Sequence, residues 1–288
     1  NNKPAAGWEN STADFWLWGG AHRVNTLMNQ LDRLQPRSAT VKTLERFNRI
    51  GGWTTDTPTG QAGSVFVSTD LDAMLDAVDL HADRRLHRVV KAMRRWNERQ
   101  TDRDGDGFYD KPWGTVFNAW WSELSSSVFD EVAGFSNRFV LGNLVDRMLL
   151  GDDAGLPLGY DYLEGETVGA AVTSALIAAL DGLAADYGST NPRDWAQPIA
   201  TIDWEPLPLT PGVGSTIWMN RGTYNQIVSL ARWIRAQNVI APGQSGDPTS
   251  PHFADQLALY AGWEYKPMRL TKRSLRGHVE SIVRLRVP

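Results

Sequence analysis

Apolar residues recur at helical intervals along most of the first two thirds of this chain. Val24, Leu27, Met28 and Leu31 follow Gly19-Gly20 at such spacing, and Val41, Leu44, Phe47 and Ile50 precede Gly51-Gly52, so each stretch predicts an amphipathic helix. Thr69 with Asp72 has the form of an N-cap pair, opening a stripe of Leu71, Met74, Leu75 and Val78. A second stripe runs through Leu86, Val89, Val90, Met93 and Trp96, and His81-Ala82-Asp83 between them reads as a joint. Further helices are expected over Val116 to Leu124, Phe139 to Leu150 and Thr167 to Tyr187, with Gly151 and Gly188 as stops.

The pattern changes near Ile199. Pro206, Pro208 and Pro211 make an extended connector, after which Ser215 to Met219 and Tyr224 to Leu230 flank Asn220-Arg221-Gly222-Thr223 and predict a strand pair with a turn. At the end, Val283, Leu285 and Val287 alternate with Arg284 and Arg286, a strand pattern with one polar face. The expected fold class is therefore α+β: residues 1–198 mainly helical, residues 199–288 a connector and strands.

Composition narrows the function. With 288 residues, 42% of them hydrophobic, the chain is long enough for a substantial core. Its 29 basic and 33 acidic residues leave a formal net charge of -4, which argues against a nucleic-acid partner. The longest nearly unbroken apolar run, Val168 to Leu180, lies between Glu166 and Asp181 and is short for a bilayer span, so no membrane role is expected. Absence of cysteine excludes disulfides, thiolate metal sites and a thiol nucleophile. Of the 13 tryptophans, Trp8, Trp16 and Trp18 cluster near the start, where large aromatics suit core packing. The chain opens at Asn1 with neither Met nor a leader, the form expected of a processed product or an excised piece.

The sharpest local signal is the run from Asp102 to Asp110. Asp102, Asp104, Asp106 and Asp110 fall at the first, third, fifth and ninth places of a calcium loop, Gly107 at the sixth, and the Phe108 carbonyl could add a neutral oxygen. The twelfth place holds Trp113 rather than a bidentate Glu, so an EF-hand is not expected and another ligand must complete the shell. The alternative is an acidic turn capping neighbouring helices. Around the second stripe, Arg84, Arg85, Arg88, Lys91, Arg94 and Arg95 read as a solvated face or as a docking face for an acidic partner.

Histidines 22, 81, 87, 252 and 278 are scattered, and His81 and His87, six apart on helical sequence, are expected on different faces. Serine-hydrolase elbows, phosphate-binding glycine loops and His-Glu-x-x-His motifs are all missing. Residues 239–253 form a long turn-rich loop, either a plain connection or the lining of a site.

Several motifs in fixed order resemble the penicillin acylase family of N-terminal-nucleophile hydrolases. Toward the C-terminus these are Asn220-Arg-Gly-Thr223, Ala241-Pro-Gly-Gln-Ser-Gly246, His252-Phe-Ala-Asp-Gln256 with Tyr260, and Leu270-Thr-Lys272. At the other end stand Asn1-Asn2-Lys3-Pro4 and Leu17-Trp18-Gly-Gly-Ala-His-Arg23, with Arg95-Trp96, Tyr187-Gly188 and Trp195 as landmarks between. The resemblance implies the C-terminal part of the large (β) subunit of a self-cleaving precursor, and a share of an αββα fold. The small α subunit and the first part of the β subunit would be its partners, and a small-molecule amide its substrate.

In that family an N-terminal Ser attacks the amide carbonyl with its own α-amino group as base, a workable pairing because that amine titrates near neutrality. That Ser is absent from this chain, so the isolated piece is expected to be inactive. By the same resemblance Asn1, rather than the adjacent Asn2, is the oxyanion donor, and Arg23 orders the site. The family's calcium-ligand aspartate falls on Thr12 here, with Asp14 two residues on, so calcium is expected at the Asp102 to Asp110 loop instead. A periplasmic or extracellular location also follows from the resemblance. The competing class is a non-catalytic calcium-stabilised scaffold or carbohydrate-binding module, to which paired carboxylates and tryptophans would be suited.

Overall fold

The structure is a computed structural model that describes residues 27–28, 30–52, 68–96, 100–129, 148–149, 161, 163–204, 212–219, 221–269, 271–279 and 281–285. Within these the elements run α1 (Val41–Gly52), α2 (Ser68–Ala77), α3 (Leu86–Met93), α4 (Trp113–Phe129), α5 (Val168–Asp186), β1 (Thr201–Asp203), β2 (Ser215–Ile217), β3 (Tyr224–Ser229), β4 (Arg235–Ile240), α6 (Leu257–Ala261), β5 (Lys266–Met268) and α7 (Lys272–Leu275). This is an α+β chain with helices first and small antiparallel sheets after. It divides into two compact units interleaved in sequence: residues 1–34, 48–202 and 216–221 form one, and residues 35–47, 203–215 and 222–288 the other.

The first unit is a helical core. Leu71, Met74, Leu75 and Val78 bury one stripe of α2, and Leu86, Val89, Val90 and Met93 one stripe of α3. They meet Val116, Phe117, Trp120, Trp121 and Leu124 of α4 and the face of α5 that carries Val172, Leu176, Leu180 and Leu183. Burying each such side chain contributes on the order of 1.5–3 kcal/mol.

Thr167 caps α5 by accepting the Ala170 amide at 3.2 Å, and Gly188 follows in a left-handed conformation at φ 62°, which only glycine adopts without strain. By length and composition α5 could cross a membrane, running past the Val168 to Leu180 segment to Asp186. Its apolar face is nevertheless spent on the core, as happens in a central helix of a folded protein.

The joint between α2 and α3 is polar and tightly held. Asp83 accepts the Arg85 amide at 2.7 Å and its guanidinium at 2.8 Å, and Arg85 also reaches Asp181 of α5 at 2.6 Å. The Arg85 guanidinium beside it holds the Asp83 carboxyl below the usual carboxylate range. Asp79 adds a long-range tie, its amide donating to the Thr173 hydroxyl of α5 at 2.9 Å.

In the second unit β3, β4 and β5 form an antiparallel sheet in that order. Tyr224 stands opposite Ile240 and Ser229 opposite Arg235, while Ala236 of β4 faces Met268 of β5. Ile227, Val239, Phe253, Tyr260 and Phe47 are buried here, and the Trp204 ring meets Tyr260 edge-on at 5.3 Å. The Gln237 amide donates to Glu45 of α1 at 2.6 Å.

Four sequence expectations change. The strand pair around Asn220 to Thr223 is not a hairpin: β2 pairs with β1, and β3 turns at Leu230 to Ile234 to pair with β4. That turn is apolar and exposed, so it carries none of the usual turn residues. Residues 281–285, expected to form a strand with one polar face, are all exposed and pair with no strand among the described residues, so neither face is covered. Helix α2 begins at Ser68, placing Thr69 inside the first turn rather than at the cap. Gly51 and Gly52, expected to follow α1, are its last two residues. Of the helix over Phe139 to Leu150 only residues 148 and 149 are described, and of the first predicted helix only 27, 28 and 30 onward, all helical at those positions.

Candidate functional site

The loop from Asp102 to Asp110 leads into α4 and is built by its own carboxylates. Asp102 accepts the amides of Gly105 at 2.7 Å and Gly107 at 3.3 Å, and Asp106 accepts that of Phe108 at 2.8 Å. Gly105 and Gly107 both lie at positive φ, 74° and 87°, the turns that let alternate side chains converge. As a result Asp102, Asp104 and Asp106 each offer an oxygen within 4.8 Å of the other two.

A bridge between Phe108 and Pro198 anchors the loop to the first unit, Tyr109 donating to the Gln197 carbonyl at 3.0 Å and Ile199 to that of Gly107 at 3.0 Å. These bonds use the neighbours of Phe108, so its own carbonyl is not spent on Pro198. Tyr109 is buried beneath and accepts the Ala200 amide through its hydroxyl, and burial pushes that phenol upward.

Asp110 does something else. Its Oδ2 accepts the Thr101 hydroxyl at 2.7 Å and its Oδ1 the Arg103 amide at 3.1 Å, so it clamps the two ends of the loop together. The Thr101 hydroxyl, then the Arg103 amide, hold its carboxyl below the ordinary value. The carboxylate cluster does not include it. Thr101 gave no signal in the sequence, because a threonine just outside a loop has many ordinary roles.

In the second unit the segment from Ala241 to Tyr260 is tied to the sheet by several bonds. The Ala241-Pro242 peptide is cis, Gln256 donates its amide to the Pro242 carbonyl at 3.0 Å, and its side-chain oxygen accepts the Ile240 amide of β4 at 3.1 Å. Ser245 donates to the His252 carbonyl at 3.1 Å, and Gly243 sits so close to the carbonyls of His252 and Phe253 that no side chain fits there. Lys266 of β5 holds Gln244 at 2.7 Å. Asp247 caps the turn through Thr249, whose amide, then hydroxyl, lower its carboxyl pKa. This loop is thus a rigid feature rather than a slack connection.

His252 pairs through Nδ1 with Asp255 at 2.9 Å, but no described hydroxyl bonds its other nitrogen, so a nucleophile–base–acid relay is not assembled there. Contrary to the expectation that they lie on different faces, His81 and His87 approach edge-to-face at 6.4 Å, because His81 lies in the joint before α3 rather than on the same helix. Asn1 and Arg23 lie outside the described residues, as do Thr12 and Asp14.

The comparisons with known proteins agree with each other. The family model for penicillin amidase matches residues 1–277. Penicillin G acylase of Escherichia coli is 25% identical over 98% of this chain, an alignment that takes in 36% of that protein. A solved thermostable penicillin G acylase from Alcaligenes faecalis superposes with a TM-score of 0.73 at 21% identity, over 100% of this chain and 56% of its own. The chain thus spans little more than a third of the length of the curated relative it matches. Nothing among these relatives supports a sugar-binding module or a non-catalytic scaffold.

Proposed function

The chain belongs to the penicillin amidase family, and from that premise we propose that the protein containing it hydrolyses an amide, releasing an acyl group from an amine. The match of the family model over residues 1–277 carries this reading. The nucleophile is supplied by polypeptide upstream of Asn1 in the same precursor, which cleaves itself into a small α subunit and a larger β subunit. This chain contributes the helical core, the small sheets and the oxyanion side of the site.

The chemistry assigned to this chain is electrostatic. As a hydroxyl adds to the amide carbonyl, charge gathers on oxygen, and the side-chain amide of Asn1 donates a hydrogen bond to it. One such donor is worth about 10² to 10³ in rate, because the bond is strongest when the charge is fully developed. Arg23 acts at one remove, ordering groups around the nucleophile. Both roles rest on the matching motifs.

Calcium belongs to the same proposal. Asp102, Asp104 and Asp106 suit a hard divalent cation that takes oxygen ligands, and the carbonyl of Phe108 adds a neutral one. Asp110, one of the expected ligands, serves instead as the clamp that holds the loop in register. The ion would neutralise three converging carboxylates and fix the approach to α4; it takes no part in amide cleavage. A periplasmic or extracellular setting, which we also propose, supplies calcium at the concentrations that surface loops of this kind require.

The test is to express the full-length protein and determine its chain termini and its action on a set of chromogenic N-acyl anilides. A Ser, Thr or Cys at a new N-terminus, with hydrolysis of at least one anilide, supports the reading. An unprocessed chain without amidase activity defeats it.

A further inference from the structure

One face of α3 and the turn after it carries charge without partners. Arg88, Lys91 and Arg95 follow at three- and four-residue steps, opposite the buried Leu86, Val89, Val90 and Met93. Across from them stand Arg103 and Lys111 of the loop that leads into α4, and between the two walls lies an open cavity of about 810 Å³. Trp96 and Trp113 supply its apolar lining. All of these residues belong to the first compact unit.

The charges in this cavity do not cancel. Among the described residues Arg88, Lys91, Arg95 and Lys111 have no ion-pair partner, whereas Arg85 and Arg94, pointing elsewhere from the same segment, are paired with Asp83 and Asp181 and with Asp76. Among the described residues the carboxylates on the lining are Asp104 and Asp110, and the second already accepts the Thr101 hydroxyl and the Arg103 amide and lies 3.8 Å from the Arg103 guanidinium. Four cations without an ion-pair partner among the described residues, with Arg103 paired to Asp110, therefore line a concave, partly apolar space whose volume falls in the range of small-molecule sites, about 300–1,000 Å³. Low-dielectric walls strengthen the field of like charges in such a cleft and concentrate anions there.

We propose that this cavity binds a small organic anion with two or more negative charges on a flat apolar body, of the aromatic dicarboxylate or disulfonate class. Guanidinium groups at Arg88 and Arg95 meet the oxyanions in forked hydrogen bonds, Lys91 and Lys111 add point charge, and the half-buried indole of Trp113 receives the ring. The site is independent of the amide-hydrolysis reading, since none of its residues is assigned to that chemistry.

The experiment is calorimetric titration of the full-length protein with naphthalene-1,5-disulfonate at low salt, in the presence of a chelator so that the carboxylate loop is held metal-free. Saturable single-site binding is expected, weakened roughly tenfold or more by R88Q with R95Q. Substitution of the exposed Arg84, which does not line the cavity, should leave it within about twofold, and uncharged naphthalene-1,5-diol should not bind. Both variants alter exposed residues, and unchanged thermal unfolding verifies that they fold. Absence of saturable binding by the wild-type protein overturns the proposal, as does equal weakening in R84Q. If binding is absent and Arg88 and Arg95 are also shielded from arginine-selective labelling, the face is a contact with the remaining polypeptide instead.

Discussion

The indole Nε1 of Trp120 donates a hydrogen bond to the carbonyl of Val172 at 2.8 Å, joining the middle of α4 to the first turns of α5 inside the core. Both residues are fully buried, so the bond has no competing water. Trp120→Ala should destabilise the helical unit by about 3–5 kcal/mol through lost packing and cavity formation. Trp120→Phe, which keeps much of the ring, should cost less. Denaturant unfolding of the two variants checks the order; equal losses would mean that the lost indole hydrogen bond, common to both variants, outweighs ring volume.

Asp110 sets the acid limit of the loop. Its carboxyl is held low by the Thr101 hydroxyl and then the Arg103 amide. A group whose pKa is depressed on folding stabilises the native state above its unfolded value, near 3.9, and loses that contribution as pH falls through the lower folded value. The clamp should therefore be intact at neutral and mildly acidic pH and open only in strong acid. Thr101→Val should move the titration of Asp110 upward, as read from the pH dependence of its carboxyl carbon by NMR. An unmoved midpoint would show that the hydroxyl does not set it.

At the α2–α3 joint, Arg85 touches two carboxylates of unequal burial. The side chain of Asp83 is 22% exposed and that of Asp181 63%. Solvent screens the second pair more, so a double-mutant cycle should give a coupling of about 1 kcal/mol for Arg85 with Asp83, and less than about 0.5 kcal/mol for Arg85 with Asp181. Added salt should erode the Asp181 term first. The reverse ranking would contradict the reading of the joint.

Gly243 is enclosed by backbone. A Cβ there would press on the carbonyls of His252 and Phe253, neither of which can rotate away as a side chain would. Gly243→Ala should cost about 1–3 kcal/mol and loosen the segment from Ala241 to Tyr260. Hydrogen exchange of the Gln256 and Ser245 amides, which donate to Pro242 and His252, should quicken in step.

The carboxylate loop should answer to calcium. If Asp102, Asp104 and Asp106 bind the ion, a hundredfold excess over Kd stabilises the unit by about 2.7 kcal/mol. Thermal unfolding with calcium and with chelator should differ in the wild type and coincide when Asp104 and Asp106 are both changed to Asn. Coincidence in the wild type itself would remove the metal from the account.

The helices were legible because burial on one side leaves a periodic trace: the stripes of α2 and α3 are visible as residue spacing, and the extent of α5 as an apolar run ending at Gly188. Pairing between strands leaves no such trace. Asn220 to Thr223 looks like a turn by composition, while the real hairpin turn, from Leu230 to Ile234, carries an apolar Leu230 and Trp233 that are 83% and 74% exposed. Alternating aspartates revealed the loop at Asp102 but not the division of labour in it, since nothing in the spacing tells Asp110 to turn toward Thr101. The cavity beside α3 was half visible: its basic face could be read from the sequence, but the facing Arg103 and Lys111 could be placed only by the path of the loop.

The central claim is that Asn1 donates to the oxyanion of an amide-cleaving site completed by other polypeptide. It is tested most directly by replacing Asn1 with Ala in the full-length protein and measuring kcat for amide hydrolysis on material verified as correctly processed. A fall of about 10² to 10³ with KM little changed is the expected result. An undiminished kcat in processed protein would contradict it.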